Sequence, residues 1–372
     1  MLYYKILDIK DFDCINIKKL FLLLLINIYK NSNNNLMLKD KSSIIKNPLL
    51  FYDINNYKYD FDIGKKDSQN GWHKVSLSLN YDIILDTFSS EFNNFFAESP
   101  SFSFLKSDLN SRHSEIKNKK QCIILVHGYN SKNRWLYINL AERFKNFGID
   151  SIIYTLPFHL ERATATLSPV DVLNFNDFRI LVELFRRAVI ELRILINMLK
   201  QNGYDEVACM GFSVGGYITG VLAGNEKNLD YCFCLASGGD YPVLFNYYGK
   251  KDNQNLKKLD QGYKNDINED LDLKNNFDNS NINLYFVKKY SHLIAPITYK
   301  CMVDKHNVIF FNGIFDTRVS LKSALRLKNA WGNPRIVVYP CGHFTFFFFN
   351  GITQRIIVNH LLKDKNKQKT FK

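Results

Sequence analysis

The sequence lacks the features that would place it in several large protein classes. Its apolar stretch at residues 20–29 (LFLLLLINIY) is ten residues long with an internal Asn, well short of the ~20 needed to cross a bilayer. Lys18 and Lys19 precede it as they would a secretory leader. However, Asp8, Asp11 and Asp13 lie upstream, and the NSNNNLMLK that follows offers no small-residue cleavage site. The stretch reads as a helix over about 15–30 that docks on the core or touches a membrane surface peripherally. Cytoplasmic residence is the expectation, with membrane association or export as the alternatives. The seven cysteines are odd in number, and Cys232-x-Cys234 lacks zinc-ribbon spacing. This excludes a disulfide framework and gives no metal site. Cys122, Cys209, Cys232 and Cys234 fall in apolar runs, where a thiol acts as a small hydrophobe. The chain also lacks any nucleic-acid-binding signature, although its net charge is +13. That excess is scattered through a chain rich in Lys, Asn, Ile, Phe and Tyr, or sits in the tail. It reads as compositional drift and not as a binding face.

What is present suffices for one large α/β domain with decorations, since 46% of the 372 residues are hydrophobic. Residues 1–70 are Asn/Lys-rich, have no firm period, and read as an N-terminal extension. Residues 71–240 and 306–363 read as the core. Residues 241–305 contain a Lys/Asn/Asp stretch too polar for a core and read as an insertion that caps the core. Residues 364–372 form a basic tail.

Within the core, Val75, Leu77, Leu79 and Tyr81 alternate and predict an early strand or hairpin over 74–86. Residues 88–104 read as a helix or covering loop. Continuous apolar runs at 121–126, 151–156, 206–210, 229–236, 307–311 and 335–339 have the character of buried parallel strands. Between and after them, helical spacing is found at 135–147, 177–199, 216–223, 321–331 and 352–362. Residues 177–199 are the plainest case, with apolar residues recurring every three or four positions and Glu183, Arg186, Arg187, Glu191 and Arg193 largely off that stripe. Strands alternating with helices imply right-handed crossovers and a mainly parallel sheet. Chemistry in such sheets gathers at the carboxyl ends of the strands.

At those ends stand His127-Gly128, the loop 157–162, Ser213, Asp240, Asp316 and His343. Ser213 lies in Gly211-Phe212-Ser213-Val214-Gly215, a G-x-S-x-G pentapeptide between a strand and a helix. The pentapeptide alone could be a Gly-rich turn. In this context it reads as a nucleophile elbow, where small neighbours tolerate a strained serine and the helix N-terminus faces a developing oxyanion. The order Ser, acid, His over roughly residues 121–362 resembles the α/β-hydrolase superfamily. Residues 157–162, the long helix and GFSVGGY (211–217) resemble a bacterial branch related to the eukaryotic abhydrolase-domain-eighteen group.

The resemblance implies an α/β-hydrolase fold, with a mainly parallel sheet flanked by helices and an insertion before the penultimate strand. It implies Ser213 as nucleophile, His343 as general base and Asp316 as the orienting acid, with Asp240 as the rival acid. It places the oxyanion hole at the N–H of Val214 and that of Tyr129, with Gly128 in reserve. His343 could instead be a core histidine beside the run 344–349. His159, Glu161 and Arg162 either bind an anionic substrate group or hold their loop by an ion pair. The implied activity is that of an esterase or lipase acting on small-molecule or lipid esters, with no metal or organic cofactor. A peptidase or acyltransferase using the same triad, or a non-catalytic binding relative, are the alternatives.

Overall fold

Short runs of β-branched and aromatic residues make the strands, and their register decides where the chemistry falls. The computed structural model describes residues 48–55, 59–66, 72–79, 101–105, 119–129, 131–163, 178–240 and 290–363. The expected helix near 15–30, most of the insertion (241–289) and the basic tail lie outside the described residues. Among those described, one sheet holds β1 (Tyr59–Lys66), β2 (Trp72–Leu79), β3 (Ser101–Leu105), β4 (Gln121–Val126), β5 (Ile149–Tyr154), β6 (Glu206–Phe212), β7 (Tyr231–Leu235), β8 (Val308–Gly313) and β9 (Arg335–Tyr339). Their order in space is β1-β2-β3-β5-β4-β6-β7-β8-β9. The six strands from β5 across to β9 run parallel, and β1–β3 add an antiparallel edge. Strands β4 to β8 are buried at every residue, which is why they read as continuous apolar runs.

Among the described residues, five helices flank the sheet: α1 (Trp135–Lys145), α2 (Phe178–Gln201), α3 (Val214–Ala223), α4 (Leu321–Ala330) and α5 (Asn350–Leu361). Alternate residues of each strand feed two cores. Cys122, Ile124 and Val126 pack with α2, α3 and the segment from Tyr290 to Val303. Ile123 and Leu125 pack with α1 and α5 on the other side. None of the described helices is both long and apolar enough to cross a membrane.

Three local readings change. Residues 101–105 form a strand, not a helix or loop, and pair antiparallel with both β2 and β5. Their alternation (SFSFL) was masked by the phenylalanines on either side. β1 lies in a region that showed no firm period, although Tyr59, Phe61 and Ile63 alternate within it. The charges off the stripe of α2 do not reach solvent, because Glu183, Arg186, Arg187 and Glu191 are all buried. The turn Pro48–Tyr52 covers part of that face, with the Arg186 guanidinium 5.9 Å from the Phe51 ring. The last part of the insertion also enters the core. The Tyr52 hydroxyl donates to the Leu293 carbonyl at 2.8 Å, and Met302 N–H donates to the Ala223 carbonyl at 2.8 Å.

The topology fixes the location of the site. The chain leaves β4 towards β5 on one side, then returns to lay β6 on the other side of β4. Connections diverging from neighbouring strands open a crevice at their carboxyl ends. Val126 of β4 is level with both Tyr154 of β5 and Gly211 of β6. The residues just beyond these three strand ends therefore meet at one rim.

Candidate active site

Ser213 sits at the tip of the turn from β6 into α3 with φ 54° and ψ −118°, a conformation that costs a non-glycine residue about 1–3 kcal/mol. The surroundings hold it there. Ser213 N–H donates to the Leu235 carbonyl at 2.9 Å, and its own carbonyl accepts from Tyr217 N–H at 3.0 Å. The turn is too tight for side chains on either flank. A Cβ on Gly211 would lie 2.1 Å from the Gly215 carbonyl oxygen, and one on Gly215 would lie 2.5 Å from the carbonyl oxygens of Val126 and His127. The serine thus stands over the helix N-terminus. There the first N–H groups, Val214's among them, have no partner within the helix and favour negative charge.

The structure brings His343 and Asp316 to this serine. The Ser213 hydroxyl lies 2.9 Å from His343 Nε2, and His343 Nδ1 lies 2.7 Å from Asp316 Oδ2. Asp316 Oδ1 accepts from the N–H groups of Arg318 (2.9 Å) and Val319 (2.8 Å). Those two bonds fix the carboxylate and keep Oδ2 aimed at the ring. With the acid on Nδ1, the neutral imidazole carries its proton there and offers Nε2 as base to the hydroxyl. All three residues are nearly buried. Asp240 is engaged elsewhere, its carboxylate taking Arg326 Nε at 2.9 Å and the Ser323 hydroxyl at 3.1 Å.

The loop after β4 is pinned from several sides. Gly128 N–H donates to the Tyr137 hydroxyl at 3.3 Å. The Gly128 carbonyl accepts from His127 Nδ1 at 2.7 Å and from the Ser131 hydroxyl at 3.1 Å. His127 Nε2 accepts from Leu156 N–H at 3.0 Å, so its remaining proton is on Nδ1. Burial, with His159 next to it, pushes the His127 imidazole down to about 3, so it stays neutral and ties the ends of β4 and β5 together.

The charged triplet after β5 turns inward. Arg162 forms a two-pronged pair with Glu191 of α2, both bonds at 2.9 Å, and also donates to the Thr155 carbonyl at 2.8 Å. Glu161 pairs with Arg134. His159 donates from Nδ1 to the Pro157 carbonyl at 2.8 Å, and burial lowers it to about 4. Of the two readings for this triplet, these contacts are those of a loop held to its core.

Sequence reasoning missed Phe212, the variable residue before the serine. Its ring lies 5.4 Å from that of His343 and 4.6 Å from that of Phe347. It also stands 2.9 Å from where a Gly128 Cβ would be, so it fills the space between the base and the loop after β4. The only signal in the sequence was its place beside Ser213. Among the described residues, no group of three or more His, Cys, Asp or Glu could hold a metal ion.

A serine at the sheet rim on a strained strand-to-helix turn, an imidazole and a buried carboxylate, set on a mainly parallel sheet of this order, define a serine hydrolase of the α/β-hydrolase fold. The chain belongs to the family described as alpha/beta hydrolase domain containing 18, which matches residues 102–363. Among solved structures it is similar to acetyl xylan esterase 1 from Thermoanaerobacterium sp. JW/SL YS485, at 14% identity and TM-score 0.54, over 87% of this chain and 94% of the other. It is also similar to an acetyl xylan esterase from Paenibacillus sp. R4, at 9% identity and TM-score 0.52, over 86% and 94% of the two chains. At such identities the likeness is one of fold. No curated protein matches the chain in sequence.

Proposed function

We propose that the protein hydrolyses carboxylic esters whose acyl group is apolar. The observation that carries this reading is the phenylalanine lining of the base: Phe212 and Phe344 flank the His343 ring at 5.4 and 5.7 Å, and Phe347 packs on Phe212. An acyl chain entering beside His343 meets aromatic rings, with the Arg318 guanidinium against Phe344, the more exposed of them. Ser213 Oγ attacks the ester carbonyl while its proton passes to His343 Nε2. The resulting imidazolium, steadied by Asp316, gives that proton to the leaving alcohol. A water then enters, loses a proton to His343 and releases the acid from the acyl-enzyme.

For the oxyanion we assign Val214 N–H and Tyr129 N–H. Gly128 N–H is already given to Tyr137. The Gly128 carbonyl is held by two donors, and in a trans peptide the Tyr129 N–H points the opposite way. Val214 directly follows Ser213 at the start of α3, and Tyr129 lies in the loop after β4, the strand paired with the one that carries Ser213.

The test is a panel of p-nitrophenyl esters from acetyl to decanoyl beside aminoacyl amides, with wild type and Ser213→Ala. Ester turnover that rises with acyl length and disappears in the folded variant supports the proposal. Amide cleavage exceeding ester cleavage would replace it with a peptidase.

A further inference from the structure

The charge excess of this chain is not evenly spread. Residues 317–363 contain seven Lys and Arg and no Asp or Glu. This stretch follows the catalytic acid and carries the catalytic base, and with Ile314 and Phe315 it holds eight of the thirteen large apolar side chains exposed among the described residues. Ile314 (47%), Phe315 (65%), Phe344 (63%), Phe347 (37%), Phe348 (86%) and Ile352 (55%) are exposed. They lie together. Ile314 and Phe315 bond through their N–H groups to the carbonyls of Tyr339 and Cys341, which sets them beside the segment leading to Phe344. The phenylalanines leave one turn of helix that runs directly into α5, with Ile352 a turn further on. Taking ~150–250 Å² for a whole aromatic side chain, the exposed part comes to roughly 600 Å², the upper end of what single soluble chains leave bare.

Cations frame this surface. The Arg318 guanidinium lies 4.4 Å from the Phe344 ring. Arg355 is exposed one turn beyond Ile352, and Arg143 Nη1 lies 4.0 Å from where a Gly351 Cβ would be. Asp316, the nearest carboxylate in sequence, is turned inward to His343. Bare aromatic rings bordered by arginines, with no acidic residue in the stretch, suit the boundary of an anionic lipid layer. The rings enter the acyl region and the guanidinium groups meet headgroup phosphates. A second copy of the chain fits less well, because a twofold contact through this face would set arginines against arginines.

We propose that the rim formed by residues 314–315 and 344–352 docks the protein on an anionic membrane surface, with the mouth of the Ser213 site facing the lipid. This goes beyond the ester reading, and its test does not use turnover as the signal. The full-length protein is floated with phosphatidylcholine vesicles, and with the same vesicles containing one third phosphatidylglycerol. Wild type should float with the anionic vesicles and be released by high salt, and neutral vesicles should retain much less. The double variant Phe348→Ser/Ile352→Ser should lose about tenfold in apparent affinity for the anionic vesicles. Its folding transition and its hydrolysis of a water-soluble short ester should be unchanged.

Three results would overturn the proposal. If the double variant floats as well as wild type, contact lies elsewhere, for instance at residues 20–29. If wild type fails to float, the face is occupied by another part of the chain. If wild type is a dimer that the double variant breaks, and neither floats, the surface is a subunit interface. Inactivity towards esters would leave all of these outcomes readable.

Discussion

Mild acid should destabilise this protein through two histidines before its carboxylates titrate. His127 and His159 are each 1% exposed and their rings lie 5.1 Å apart. In the native state burial holds them to about 3 and about 4, against ~6.5 for an unfolded imidazole. Below pH ~6.5 the unfolded chain therefore binds protons that the native state refuses, and stability falls as pH falls. Above that pH both states are neutral at these positions and nothing is lost. At about pH 5 each ring costs roughly 2 kcal/mol (1.5 units at 1.36 kcal/mol each), or about 4 together. That is a large part of the ~5–15 kcal/mol that typically separates folded from unfolded domains.

The assay is urea unfolding followed by circular dichroism at pH values from about 7.5 to 5. Wild type should lose about 4 kcal/mol across that range. His159→Asn can still donate to the Pro157 carbonyl but cannot titrate, and should lose about half as much. A wild-type stability that stays flat to pH 5, or a variant that falls as steeply as wild type, would refute the reasoning.

Asp316→Asn should lower kcat by about 10⁴-fold, because the amide no longer holds the imidazole in the tautomer with its proton on Nδ1. Asp240→Asn should leave kcat near wild type, since Asp240 serves Arg326 and Ser323. Equal losses in steady-state kinetics would count against the assignment of the acid. Arg162→Met should destabilise by about 3–5 kcal/mol in urea titrations, because it strands the fully buried Glu191. Arg162→Met/Glu191→Leu should recover much of that loss, and a double variant no better than the single would argue that the pair is not what holds the loop.

Legibility in the sequence followed the range over which each constraint acts. The turn at Ser213 was readable because much of its requirement is local: a side chain on Gly211 would overlap the backbone of Gly215 within the turn, while one on Gly215 would overlap the end of β4. Strands β4 to β8 were readable because burial on both faces leaves an unbroken apolar run. The antiparallel edge was harder. In β3 the alternating phenylalanines sit in a Phe-rich neighbourhood, so period two does not stand out. Partnership over distance was readable for Ser213, Asp316 and His343 only through the order of their motifs, and was not readable for Arg162 and Glu191. Arg162 and Glu191 are 29 residues apart, and the sequence near Arg162 is equally consistent with a substrate-binding cation. Nor did composition reveal that residues 290–303 return from a polar insertion to line α3, because their apolar content also suits a cap.

The most direct measurement is a mass-spectrometric map of the folded protein after reaction with a fluorophosphonate, which bonds only to an activated nucleophile. The account requires a single adduct on the peptide carrying Ser213, abolished by His343→Ala. Folded protein that stays unlabelled, or an adduct on any other residue, would contradict it.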